Sequence, residues 1–309
     1  MIKYVIETVN LTKKYKNQIA VDSVNMKVEK GKIYGLLGKN GAGKTTTMCM
    51  LLNLANPHDG EIYIFGEDYK KNPKKTYKKI GAIIETPGFY ENLTGFENLK
   101  LFSTLRGNYD KQAILEALHI VSLDMEEDKL FKEYSLGMKQ RLAIAESIVH
   151  GPELLILDEP INGLDPVGIK EIRQLLKRLV DYYGLTILIS SHILSEIEAI
   201  ADVIGIMDEG KLIEEISMET LHEKINKYVD FEVSDSNKAC KILENVGLKE
   251  NKDYQIKENK LIRLLSHLDL RSKINEAFVK SGISVSKQNL NEESLEEYFT
   301  NLIGEKILG

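Results

Sequence analysis

Gly38-Lys39-Asn40-Gly41-Ala42-Gly43-Lys44-Thr45 fits the pattern G-x-x-x-x-G-K-[ST] in full, with Thr46 directly behind it. Glycines let the backbone curl until several N–H groups point inward at one anion. A helix opening at Lys44 adds the partial positive charge of its N-terminus. Lys44 then brings an ammonium to the terminal phosphates, and the Thr45 hydroxyl suits Mg²⁺. The chemistry on offer is the binding of a nucleoside triphosphate. The alternative, an ordinary glycine-rich turn, does not require a strand before the loop and a helix after it, and both are expected here.

A second group of polar residues complements the first. Leu154–Leu157 (LLIL) is followed by Asp158-Glu159, 114 residues after Lys44. Two adjacent carboxylates at the end of a buried strand can divide their work when their surroundings differ. Asp158 would hold Mg²⁺ through water, and Glu159 would polarise the attacking water. Alone, such a pair also describes a plain strand-to-loop junction.

The elements that must position these groups follow from the apolar pattern. Lys32–Leu37, Leu154–Leu157 and Thr186–Ile189 read as buried strands, and Lys44–Leu54 as the helix after the loop. Apolar runs of this kind suit parallel strands covered on both faces. Alternation with amphipathic stretches over the first 220 residues reads as α/β. Residues about 87–150 read mostly helical, with helices at Asp110–Leu118 and Lys139–Val149. Met218–Lys227 reads as helix and linker. Residues 228–289 then read strand (228–233), helix (236–246), strand (254–257), strand (261–265), helix (269–281) and strand (283–287). That βαββαβ order matches a ferredoxin-like module. A last helix is expected at Glu292–Leu302, with Leu295, Tyr298, Phe299 and Leu302 on one side. The expected domains are 1–220 and 221–309.

Composition narrows the function classes. The 309 residues carry 41 basic and 47 acidic side chains, a net charge of −6. Nucleic-acid binders usually show a basic excess, so no nucleic-acid partner is expected. Cys49 and Cys240 stand too far apart for a disulfide framework and fit a reducing cytosol. The longest charge-free runs, Thr45–His58 and Tyr182–Ser195, are 14 residues each, against about 20 for a spanning helix. The N-terminus has no signal-peptide layout. Work at a membrane would need another chain to hold this one there. His58, His119, His150, His222 and His267 show no partner pattern and read as surface residues. No His/Cys cluster has metal-ligand spacing, so no bound metal is expected except Mg²⁺.

Further motifs point to one family. Tyr134-Ser135-Leu136-Gly137-Met138-Lys139-Gln140-Arg141, with Ser135 23 residues before Asp158, resembles the LSGGQ signature of ATP-binding-cassette (ABC) ATPases. Asn162-Gly163-Leu164-Asp165 resembles the family's D-loop. His192, 34 residues after Asp158, resembles its switch histidine, and Tyr15, 29 residues before Lys44, its adenine-stacking aromatic. The likeness covers about residues 3–215. Leu136 stands where glycine is usual, Met138 where glutamine is usual, and Glu85 where most members have the Q-loop glutamine. These departures are similar to bacitracin-export and lantibiotic-immunity ATPases.

The resemblance implies an ABC cassette with a helical subdomain at about 87–150 and a small α+β C-terminal domain. It implies ATP and Mg²⁺ as cofactors. The implied nucleotide contacts are Tyr15, Gly38, Asn40, Gly41, Ala42, Gly43, Lys44, Thr45, Thr46, Ser135, Gly137 and Asp165. Catalysis falls to Glu159, His192 and Glu85, and the metal to Thr45, Glu85 and Asp158. One chain holds one phosphate loop and one signature, so a second copy, head to tail, would complete each site. A separate transmembrane permease would be the other partner, placing the chain on the cytoplasmic face of the membrane. Its docking groove would fall near Thr86–Leu101, where Phe89, Tyr90, Leu93 and Phe96 meet that partner or pack the subdomain. The implied function is to power an exporter of a peptide antibiotic or bacteriocin. Alternatives are an exporter of another substrate, such as ions or lipid, and a non-transport ABC ATPase.

Overall fold

The structure is a computed structural model. It describes residues 3–16, 18–84, 88–107, 109–126, 128–225, 227–258, 260–293 and 298–299. The chain forms two compact units, 1–220 and 221–309.

The first unit is built on a six-stranded sheet in the order 211–217, 203–208, 33–37, 186–191, 154–157, 80–83. Every neighbouring pair is parallel except the hairpin of Val203–Asp208 with Lys211–Ser217. The central strands are apolar without alternation because both faces are covered: every residue of Ile33–Leu37, Leu154–Leu157 and Thr186–Ser191 is buried. A second, antiparallel sheet joins Gln18–Val24, Tyr4–Tyr15, Asp59–Ile64 and Glu67–Asp68, with Lys27–Glu29 paired to Tyr4–Tyr15. Its Ile6, Leu11 and Ile62 share one core with Leu36, Ile156 and Leu188 of the parallel sheet. Met48, Met50 and Leu51 of the Lys44–Leu51 helix belong to the same core. The phosphate loop is therefore strung between a buried strand and an enclosed helix.

Three helices follow at Gly95–Leu105, Lys111–Ile120 and Leu136–Ile148. Each starts at a side chain that caps its free N–H groups: Thr94, in a capping box with Glu97, then Asp110, then Ser135. Phe89 lies edge-on to Phe102 with centroids 5.6 Å apart and tilted against Phe131 at 5.1 Å. It thus packs the subdomain, while Tyr90 is exposed and Leu93 and Phe96 are half-buried. Gly81 lets the Leu136–Ile148 helix sit on the edge strand: a Cβ there would lie 2.0 Å from the Ser147 carbonyl oxygen.

The second unit has the order strand, helix, strand, strand, helix, strand, at Lys227–Val233, Ser236–Asn245, Tyr254–Glu258, Leu261–Leu264, Arg271–Lys280 and Val285–Glu292. The sheet order is 254–258, 261–264, 227–233, 285–292, antiparallel throughout. This is the split arrangement of a ferredoxin-like sheet. Val229, Phe231, Leu243, Ile274 and Phe278 form its core. The helix expected to open at Glu292 is corrected at its start, because Glu292 pairs with Lys227 and closes the last strand. Most of that expected helix lies outside the described residues; Tyr298 and Phe299 are helical. Among the described residues, no helix is long and apolar enough to cross a membrane.

Candidate active site

The phosphate loop takes its shape from positions that only glycine fills without strain. Gly41 has φ +84° and Gly43 φ +105°, in the left-handed region that side chains disfavour. A Cβ at Gly43 would also stand 2.6 Å from the Ala20 carbonyl oxygen. Gly38 needs space rather than a special angle, since its Cβ would meet the Met207 carbonyl oxygen at 2.5 Å. Ala42 is buried under the loop.

Lys44, the first helical residue, is only 5% exposed. Its ammonium donates to the carbonyls of Gly38 at 2.6 Å and Lys39 at 3.3 Å. It also lies 3.2 Å from Glu159 Oε1. A buried ammonium requires such partners. The loop is thus tied by its own lysine to the acid at the end of the Leu154–Leu157 strand.

That strand end lies beside the loop because the sheet order brings 154–157 next to 186–191, which in turn borders 33–37. Thr45 Oγ1 donates to Asp158 Oδ2 at 2.6 Å. These are two hard oxygen ligands at one point. Among the described residues no cluster of three or more His, Cys, Asp or Glu could hold a metal. A pair of this kind fits Mg²⁺, which usually takes one or two protein ligands and completes its shell with phosphate and water. Glu159 has φ +49°, a conformation costing a non-glycine residue about 1–2 kcal/mol. Its Oε2 is 2.5 Å from His192 Nδ1. A carboxylate and an imidazole therefore stand together at the end of the Leu154–Leu157 strand.

A cleft of about 330 Å³ is lined by Tyr15, Asn40, Gly41, Gly43, Lys44, Thr45, Thr46 and Glu159. The sequence reading missed three more of its residues: Gln18, Ala20 and Asn162. Tyr15 is half exposed, with its ring under the Lys13 ammonium. Gln18 pairs with Tyr15 across the strand turn, a proximity that a hairpin signal would have shown. Ser190, also missed, accepts from Glu159 N–H at 2.9 Å and donates to Asp158 Oδ1.

Five expected contacts do not line this cleft: Gly38 and Ala42 within the loop itself, and Ser135, Gly137 and Asp165 away from it. Ser135 caps the Leu136–Ile148 helix, accepting from Met138 N–H at 3.2 Å. Gly137 lies in that helix's first turn. Asp165 caps the Pro166–Asp181 helix through Gly168 N–H at 2.8 Å. The two loops adjoin each other: a Cβ on Gly163 would be 3.5 Å from Leu136 Cδ2. Glu85 lies outside the described residues. One of the histidines expected at the surface is corrected, and the side chain of His222 lies outside the described residues. His150 is half-buried, its Nε2 donates to the Ile80 carbonyl at 3.1 Å, and burial holds its imidazole below the usual value.

The ABC transporter family profile matches residues 21–162. The bacitracin transport ATP-binding protein BcrA of Enterococcus faecalis is 53% identical over 304 residues, covering 98% of each chain. The chain belongs to the ABC transporter family. As an ABC ATPase it binds and hydrolyses ATP. The lantibiotic transport ATP-binding protein SrtF of Streptococcus pyogenes is 44% identical over 226 residues, covering 72% of this ABC ATPase and 96% of SrtF. Among solved structures, a dimeric post-hydrolysis state of the cassette MJ0796 bound to ADP and Pi matches with a TM-score of 0.60. It is 26% identical and covers 69% of this ABC ATPase and 98% of that chain.

Proposed function

We propose that this ABC ATPase powers export of a bacitracin-like peptide antibiotic and so gives resistance to it. The carrying observation is the reach of the likeness to BcrA, which spans 98% of both chains and so includes the 221–309 unit. SrtF matches over 226 residues that make up 96% of its length, too short to hold that unit as well. The lantibiotic reading is accordingly second, and a non-transport ATPase is third. In this reading 1–220 is the ATP-binding cassette and 221–309 an accessory domain.

The residues divide the work by position. Tyr15 stacks on adenine at the mouth of the cleft. Backbone N–H groups of Asn40, Gly41, Gly43 and Thr46 line the phosphates, Gly38 and Ala42 shape the loop with their N–H groups on the Ser191 and Lys39 carbonyls, and Lys44 turns its ammonium to the β and γ groups. Thr45 and Asp158 would hold Mg²⁺, with Glu85 as a third ligand; when bound, the ion neutralises phosphate charge. Glu159 takes a proton from the attacking water. His192, held by Glu159, hydrogen-bonds the γ-phosphate and registers its loss. Ser135, Gly137 and Asp165 lie off the cleft of their own chain, which supports their use by a second copy. MJ0796 has been solved as a dimer, and we infer the same head-to-tail pairing here. A separate permease would hold the pair at the cytoplasmic face of the membrane.

The test reconstitutes the chain with its permease in proteoliposomes. Bacitracin should stimulate phosphate release severalfold, and a lantibiotic should not. Stimulation by the lantibiotic alone would move the assignment to the second reading. Indifference to both would remove antibiotic export.

A further inference from the structure

The two acids at the end of the Leu154–Leu157 strand are held by a side chain that belongs to none of the recognised motifs. Leu157 pairs with Ile189, so the next residue of each strand, Asp158 and Ser190, come side by side. Ser190 is fully buried, at 0% exposure. A serine hydroxyl has one proton to give and lone pairs to accept with. Its proton goes to Asp158 Oδ1. The lone pair takes Glu159 N–H at 2.9 Å. Asp158 Oδ2 meanwhile accepts from Thr45 Oγ1 at 2.6 Å. One polar chain therefore runs from the phosphate loop, through Asp158 and Ser190, to the backbone of Glu159.

That backbone needs holding. Glu159 sits at φ +49° without being glycine, and strained conformations persist only where surrounding contacts over-determine them. The conformation aims its carboxylate at Lys44, 3.2 Å away, and at His192, 2.5 Å away. We infer that Ser190 is a positioning residue for ATP hydrolysis, fixing the Glu159 turn and thereby the direction of its carboxylate. This rests on the reading of Glu159 as the acid that activates water. An alanine at 190 would leave the part-buried Glu159 N–H without its acceptor, and the turn would be free to relax toward the right-handed region. The phosphates are gripped by the 38–46 loop rather than by this turn, so nucleotide binding would persist.

The test compares S190A, S190T, E159Q and the double variant E159Q/S190A in the full chain. Turnover is read by phosphate release and affinity by fluorescence of trinitrophenyl-ATP. S190A should lower kcat roughly tenfold to a hundredfold, the scale of losing one hydrogen bond to a charged group. Its Kd should stay within about threefold, since no loop contact is removed. S190T, which keeps the hydroxyl, should recover most of the turnover. Adding S190A to E159Q should cost nothing further, because the carboxylate being aimed is already gone. A kcat for S190A within about twofold of wild type overturns the inference. So does a Kd that rises in step with the fall in kcat, which marks a merely structural role. If E159Q is inactive while S190A is normal, only the positioning role fails. If E159Q turns over like wild type, the Glu159 reading fails and takes this one with it. Should S190A not fold, S190C keeps the side chain's shape, weakens both hydrogen bonds and reads the same outcomes.

Discussion

Gly38→Ala places a methyl group in the tightest spot of the phosphate loop. Its Cβ would stand 2.5 Å from the Met207 carbonyl oxygen, 3.0 Å from Ala42 Cβ and 3.3 Å from the Met207 carbonyl carbon. Ordinary contact begins near 3.4 Å, so the overlap with Met207 is roughly 0.9 Å. The Val203–Asp208 strand cannot give way easily, being hydrogen-bonded to Ile33–Leu37 on one side and Lys211–Ser217 on the other. The loop must move instead. Its Gly38 carbonyl accepts from Lys44 at 2.6 Å, so the Lys44 ammonium moves with it. A displacement of about 1 Å costs on the order of 100-fold in turnover, and the overpacking about 1–3 kcal/mol in stability.

The control is Gly31→Ala, at φ +70° with nothing within 4 Å and away from the cleft. It should lose about 1–2 kcal/mol of stability through backbone strain, with ATP affinity intact. Phosphate release, trinitrophenyl-ATP titration and thermal melting on both variants decide the matter. If Gly38→Ala matches Gly31→Ala in affinity and turnover, close packing against Met207 does not set the loop.

Other outcomes follow from the same geometry. Glu159→Gln should cut turnover by about 10²–10⁴, the range for a general base, while ATP still binds; size-exclusion chromatography should then show an ATP-dependent dimer. Ser135→Arg should abolish that dimer and leave ATP binding by the monomer, which equilibrium titration would report. His150 gives a pH signature. Burial depresses its folded-state value below the ordinary 6.5, so its contribution to stability is complete above that value and is lost as pH falls through the folded one. Melting temperatures at pH 7.5 and 5.5 should fall further for wild type than for His150→Gln; parallel falls would count against a neutral buried imidazole.

How much was legible in the sequence depended on whether a residue's signal was local. Leu154–Leu157 was bounded correctly because Pro152 precedes it and two acids follow it. The phosphate loop reads clearly because its glycines and the Lys-Thr pair fall in one short contiguous pattern, even though Gly38 is required by packing against the distant Met207. The Leu136–Ile148 helix begins three residues before the Lys139 expected from the apolar pattern, because Ser135 caps it. Ser190 was invisible: a hydroxyl at a strand end means nothing until register sets it beside Asp158. Gln18 and Ala20 line the cleft only because the antiparallel sheet folds them there, and that sheet had no separate reading. Glu292 opens the segment whose apolar residues fall on one helical side, yet pairing with Lys227 makes it a strand end.

The sheet order has a consequence for the chain's birth. Both neighbours of Ile33–Leu37 lie beyond residue 185, so about 150 residues separate this wholly apolar strand from its first partner. At a synthesis rate of about 5–20 residues per second, it waits roughly 7–30 s after emerging from the ribosome. Throughout that interval a sticky, unpaired edge is available to other chains. Safe delivery of the protein therefore depends on the antiparallel sheet and the Lys44–Leu51 helix gathering around that segment early, or on a chaperone shielding it until the second half arrives.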